Sequence, residues 1–141
     1  MDRTIIYIDD DSDDLLFFGL ALEKADPEAV LVNYKNPDQF LSKITELNLD
    51  NLLIFLDVNM PIKNGFQVLK EIRQQYNQTE LPVIMLSTSD NENTISVARE
   101  FGASAYAVKP NDIAELIVLI KKLIEKNWKL SPAEKDRFVY S

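Results

Sequence analysis

The sequence predicts an α/β fold, (βα)5: five strands alternating with five helices, in a doubly wound parallel sheet with both faces covered. Three observations carry this. Short apolar runs alternate with amphipathic stretches along the whole chain. The runs are apolar throughout, the pattern of strands buried on both faces. No hairpin dipeptide joins any two of them, so each pair needs a helical crossover, and the sheet is parallel.

The elements follow in order. Thr4–Ile8 is β-branched and aromatic, as in strands. Ser12 reads as an N-cap, with Asp13 and Asp14 in the first turn, where acids favour the helix dipole. Leu15, Leu16, Phe18, Gly19, Leu22 and Ala25 recur at helical spacing until Asp26-Pro27 stops the helix. Ala29–Tyr34 is the second strand. Asn36-Pro37 reads as N-cap and N1 of a helix through Phe40, Leu41 and Ile44. Leu52–Leu56 is the third strand, followed by a loop around Asn59–Asn64 and a helix from Gly65 to Tyr76 with Phe66, Leu69 and Ile72 inward. Leu81–Leu86 is the fourth strand, Asn91–Phe101 a helix ended by Gly102, and Ser104–Val108 the fifth strand. The last helix, Asp112–Asn127, carries Ile113, Leu116, Ile117, Ile120 and Ile124 on one stripe.

A chain of 141 residues fits one domain. With 46% hydrophobic and 27% charged residues, bulk disorder is excluded. A net charge of −8 repels phosphate backbones and argues against nucleic-acid binding. The basic run Lys121, Lys122, Lys126 and Lys129 is what a helix C-terminus attracts by its dipole. There is no Cys and no His. That excludes disulfides, thiol catalysis, a His general base, a His zinc site and a phosphohistidine. Three glycines leave no glycine-rich phosphate loop. Asp2-Arg3 lead straight into Ile5–Ile8, too short for a signal segment or a span, so a cytoplasmic protein with no membrane association is expected.

In an open α/β sheet, function collects beyond the carboxyl ends of the strands. Here those ends carry Asp9-Asp10-Asp11, Asp57, Ser87-Thr88 and Lys109-Pro110, while the second strand ends at Tyr34-Lys35. Converging carboxylates repel, and a hard divalent cation resolves the repulsion; Mg²⁺ suits a site with few carboxylates plus water and phosphate oxygens. Asp9 and Asp10, at the strand end, are assigned to the metal, and Asp13 and Asp14 to the helix terminus. An EF-hand is rejected, because its sixth position is Asp14 and its twelfth Leu20. Asp57, delivered by the apolar run Leu53–Leu56, is a candidate nucleophile able to form an aspartyl-phosphate. Lys109 offers a compact ammonium for phosphoryl oxygens, and Ser87 a hydroxyl donor.

The segments IIYIDDD, FLDVNMPIKNGFQVLKEIR, LPVIMLSTSD and GASAYAVKP resemble those of response-regulator receiver domains, the CheY-like family, over about residues 4–127. The resemblance implies a flavodoxin-like sheet of order 2-1-3-4-5. It implies that Asp57 accepts phosphate, that Asp9 and Asp10 orient Mg²⁺, and that Asn59 contributes a main-chain carbonyl to the metal. It implies that Ser87 moves to the phosphoryl group, that Tyr106 turns inward with it, that Lys109 contacts phosphoryl oxygens, and that Lys109-Pro110 is a cis bond. Two departures stand out: Thr88 where Ala or Gly is common, and Asn111-Asp112 where an apolar or aromatic residue is common.

The expected function is a phosphorylation-activated response regulator of two-component signalling. Its phosphodonor would be a sensor histidine kinase or a histidine phosphotransfer protein, and its output a downstream protein reached through the fourth helix, fifth strand and fifth helix. It would be no enzyme beyond assisting its own phosphorylation and dephosphorylation. The alternatives are a phosphorylation-independent docking module and an Asp-nucleophile phosphatase. The phosphatase needs a second acid two residues after the nucleophile, where this chain has Asn59. The division expected is a receiver domain over 1–127 and a tail over 128–141. In that tail Ser131-Pro132-Ala133-Glu134 has the form of a capping box for a short extra helix. Trp128, Leu130, Phe138, Val139 and Tyr140 give the tail apolar surface to pack on the domain or on a second copy in a homodimer.

Overall fold

The computed structural model describes residues 3–129 and 137–141. Strands and helices alternate: β1 (Thr4–Ile8), α1 (Ser12–Ala25), β2 (Val30–Tyr34), α2 (Pro37–Leu41), β3 (Leu52–Asp57), α3 (Gly65–Gln75), β4 (Val83–Ser87), α4 (Glu92–Glu100), β5 (Ala105–Val108), α5 (Ile113–Ile124) and β6 (Val139–Tyr140), with one 3₁₀ turn at Ile44–Glu46. The sheet order is β2-β1-β3-β4-β5-β6, and every pairing is parallel. The order 2-1-3-4-5 expected for the first five strands is therefore the one observed.

Successive strand residues point to opposite faces, which divides the core in two. Ile5, Tyr7, Leu53, Phe55, Ile84 and Leu86 face α1 and α5, meeting Phe18, Leu22, Leu116 and Ile120. Ile6, Ile8, Ile54, Leu56, Val83 and Met85 face the other way, toward Phe40 of α2, Leu69 and Ile72 of α3 and Ala98 of α4. The Arg73 guanidinium closes the lower end of α3. It donates to the carbonyls of Gly102 at 2.7 Å and Leu81 at 2.7 Å, tying α3 to the turn before β5 and to the start of β4.

Several boundaries move, each for a physical reason. Asp11, not Ser12, caps α1: its side chain accepts from the amides of Asp13 at 2.8 Å and Asp14 at 3.3 Å. α2 stops at Leu41, and Ile44 is buried through the 3₁₀ turn instead of the helix. β4 starts at Val83 because Pro82 has no N–H for the ladder; its carbonyl still accepts from Ile54. α5 buries Leu116, Leu119, Ile120, Leu123 and Ile124, while Ile113, at its first position, stays exposed.

β6 is the element that periodicity missed. It adds to the outer edge of β5, with Tyr106 opposite Val139 and Ala107 opposite Tyr140. Trp128 and Tyr140 are both buried, their rings edge to face at 5.8 Å. The expected helix at Ser131–Glu134 lies outside the described residues.

Candidate functional site at the carboxyl edge of the sheet

β1 and β3 are paired neighbours, and both end in carboxylates. Asp9 is fully buried. Its Oδ2 accepts the Tyr7 hydroxyl at 2.6 Å, and its Oδ1 accepts the Asp11 amide at 3.0 Å. Asp57, the last residue of β3, is 6% exposed. One carboxylate oxygen from each of Asp9, Asp10 and Asp57 lies within 4.8 Å of the others. This acidic group is of the kind that holds a divalent metal, and it combines two buried carboxylates with the half-buried Asp10.

Lys109 approaches from the end of β5. Its Nζ lies 3.5 Å from Asp57 Oδ1, 3.6 Å from Asp9 Oδ2 and 3.2 Å from Asp14 Oδ2. Its amide donates to the Ser87 carbonyl at 2.7 Å, which fixes the β5 end against the β4 end. Burial, with Asp9 adding repulsion, pushes the Asp57 carboxyl up to about 7, against the pull of Lys109. Burial likewise raises Asp9, although the Tyr7 hydroxyl opposes it. Burial works against the charge on Lys109, but Asp57, Asp9 and Asp14 outweigh it and hold the ammonium above its ordinary value. The Tyr7 hydroxyl is held far above the usual tyrosine range by burial and by Asp9.

Ser87, the last residue of β4, is buried, and its Oγ accepts the Ser89 amide at 3.1 Å. Tyr106 is fully buried, and its hydroxyl donates to the Ser89 carbonyl at 2.6 Å. The β4–α4 loop thus joins the hydroxyl at the site to the aromatic on β5. Thr88 and Asn59 are exposed. No peptide bond among the described residues is cis, so Lys109-Pro110 is trans, contrary to what the resemblance implied. For an X–Pro bond trans is favoured by about 0.5–1 kcal/mol.

Sequence reading placed Asp9, Asp10, Asp57, Ser87 and Lys109 at this rim, and all five lie there. Three contributors were missed or given a lesser role. Tyr7 sits two residues before Asp9, on the same face of β1, and that spacing was the available signal. Asp14 was given only a helix-terminus role. Gly65 is required by close approach: a Cβ there would lie 2.2 Å from the Asp57 carbonyl oxygen, and its amide donates to Val58 at 2.9 Å. Beside Asp10 a cleft of 220 Å³ opens between Pro37, Met60 and Lys63, with Ile62 at its rim 96% exposed. A larger cleft, 570 Å³ between Arg3, Asp50 and Trp128, lies at the opposite end of the strands, away from this chemistry.

The model of the response regulator receiver domain family matches residues 5–121. The chain belongs to that family: it is a receiver domain of the two-component response regulators. Among solved structures it is similar to the chemotaxis protein CheY4 of Vibrio cholerae, at 22% identity over 86% of this chain and 98% of that one, with a TM-score of 0.71. It is similar to the phosphorylated cyanobacterial phytochrome response regulator RcpA, at 25% identity, 91% and 94% coverage and a TM-score of 0.73. It is also similar to the Mn²⁺-bound form of the response regulator Rcp1, at 22% identity, 92% and 96% coverage and a TM-score of 0.71.

Proposed function

We propose that this receiver domain is a phosphorylation-controlled switch whose acceptor is Asp57. The observation that carries the reading is the position of that carboxylate. It is buried at the end of β3, 3.5 Å from the Lys109 ammonium, with Asp9 and Asp10 converging on it. An Asp57 oxygen bonds to the phosphorus of a partner's phosphohistidine while the P–N bond breaks and its electron pair returns to the imidazole. The donor is the partner, because this chain has no His. Lys109 faces the phosphoryl oxygens and offsets their charge.

Asp9, Asp10 and Asp57, with the main-chain carbonyl of Asn59, would hold Mg²⁺. The fit rests on the donor set: three carboxylate oxygens within 4.8 Å of one another, two of them from buried residues that repel without a cation. When bound, Mg²⁺ supplies charge neutralisation for the incoming phosphoryl oxygens. The Mn²⁺ bound by Rcp1 supports a divalent ion in the same fold.

Phosphate on Asp57 would recruit the Ser87 hydroxyl and break its contact with Ser89, the residue whose carbonyl also receives the Tyr106 hydroxyl. The response would reach α4, β5 and α5, and with them β6, which lies on the outer edge of β5. A downstream protein reads that face. No described helix is long and apolar enough to cross a membrane. This reading places the chain in the cytoplasm, turning over no external substrate. Intact mass after treatment with acetyl phosphate tests it: one phosphoryl adduct is expected with Mg²⁺ and none in EDTA or in Asp57→Asn. An adduct that survives Asp57→Asn unchanged would refute the assignment.

A further inference from the structure

Asp14 has a second relationship beyond the start of α1. Of the three carboxylates around Lys109, Asp14 is the nearest, at 3.2 Å, and its contact is a hydrogen bond as well as an ion pair. The other two, Asp57 and Asp9, belong with Asp10 to the group whose oxygens converge as if on a cation; Asp14 lies outside that group. A cation drawn to Asp9 and Asp57 leaves Asp14 as the anionic partner of Lys109. The Asp14 side chain is also the most open of the three, 40% exposed against 0% for Asp9 and 8% for Asp57. It therefore competes with the acceptor for the ammonium, which lies 3.2 Å from Asp14 and 3.5 Å from Asp57.

We propose that Asp14 is a positioning residue that tethers Lys109 at the rim of the resting site and thereby slows phosphorylation of Asp57. The proposal rests on Asp57 being the acceptor. Entry of the phosphoryl group requires Lys109 to exchange the Asp14 carboxylate for phosphoryl oxygens. The same carboxylate adds negative charge beside a group that is itself anionic, and both effects oppose entry. Asp13 provides an internal control. It occupies the same first turn, shares any effect of the helix dipole, and among the described residues pairs with no cation.

The experiment compares wild type, Asp14→Asn, Asp14→Glu and Asp13→Asn. One measurement is the rate of Asp57 phosphorylation by acetyl phosphate at fixed pH and Mg²⁺. The other is the side-chain NMR signal of Lys109 in the unphosphorylated protein, assigned with Lys109→Arg. Asp14→Asn is expected to be about fivefold faster, the scale one partly exposed charge pair supplies, and to move the resting Lys109 signal. Asp14→Glu is expected to restore both toward wild type, and Asp13→Asn to leave both unchanged. Equal or slower phosphorylation in Asp14→Asn overturns the proposal. So does an unmoved Lys109 signal, or an effect of Asp13→Asn matching that of Asp14→Asn. If wild type takes no phosphate at all, the acceptor reading fails, while the Lys109 signal of resting Asp14→Asn still decides the tether.

Discussion

The Tyr106 amide donates to the carbonyl of Phe138 at 2.9 Å. The aromatic residue that faces the β4–α4 loop is thus bound through its own backbone to the residue that leads into β6. Phe138 continues this contact under the Arg99 guanidinium, 4.5 Å from its ring, so the residue leading into β6 touches α4 while β6 itself pairs with β5.

Tyr140 anchors that strand, buried to 2% exposure against Trp128. Tyr140→Ala is expected to cost about 2–4 kcal/mol of stability, read as a lower urea midpoint, and to speed hydrogen exchange at the Tyr106 amide. An unchanged midpoint with unchanged exchange would mean that β6 adds nothing to the fold.

The buried Asp57 makes stability depend on pH. Its folded value of about 7 lies above the ordinary 3.8, so between about pH 4 and pH 7 the folded chain binds more protons than the unfolded one. Stability contributed by this group is therefore present below pH 4 and declines as pH rises to 7, then levels off. Without divalent cations, Asp57→Asn is expected to gain about 3 kcal/mol relative to wild type between pH 4.5 and pH 8. A difference from wild type that does not vary with pH would contradict this.

A divalent cation held by these carboxylates would remove that penalty. Mg²⁺ at a hundredfold excess over its dissociation constant is expected to stabilise the chain by about 2.7 kcal/mol, and Asp10→Asn to lose most of the gain. Trp128, buried beyond α5, borders the cleft at the opposite end of the strands, so its fluorescence is expected to stay constant through the titration. Strong quenching at low Mg²⁺ would place the cation elsewhere.

Gly65 leaves no room for a side chain beside the Asp57 carbonyl. Gly65→Ala is expected to destabilise by about 1–3 kcal/mol through overpacking and to slow phosphorylation by displacing Asp57. Melting temperature and phosphorylation rate should fall together. A fully active, equally stable variant would show that the approach is not constrained.

The order of elements was legible because each apolar run is a buried strand and each amphipathic stretch a helix, from Thr4–Ile8 to the stripe around Leu116 and Ile120. The site was legible because Asp9, Asp57, Ser87 and Lys109 each end a strand or stand just beyond one, and a parallel sheet brings such ends to one rim. β6 was not legible: two residues carry no periodicity, and their partner is a strand more than thirty positions earlier. The Asp11 cap was hidden by Ser12 beside it, a residue type equally suited to cap a helix. Asp14 and Lys109 meet across 95 positions, a distance no local pattern spans.

In the reading proposed above, Asp57 accepts the phosphoryl group. Borohydride reduction of the acetyl-phosphate-treated protein, followed by peptide mass mapping, tests it most directly, because reduction of an acyl phosphate converts the aspartate to homoserine. Homoserine is expected at position 57, dependent on Mg²⁺ and absent from untreated protein. Homoserine at Asp9, Asp10 or Asp14 with Asp57 intact would contradict it.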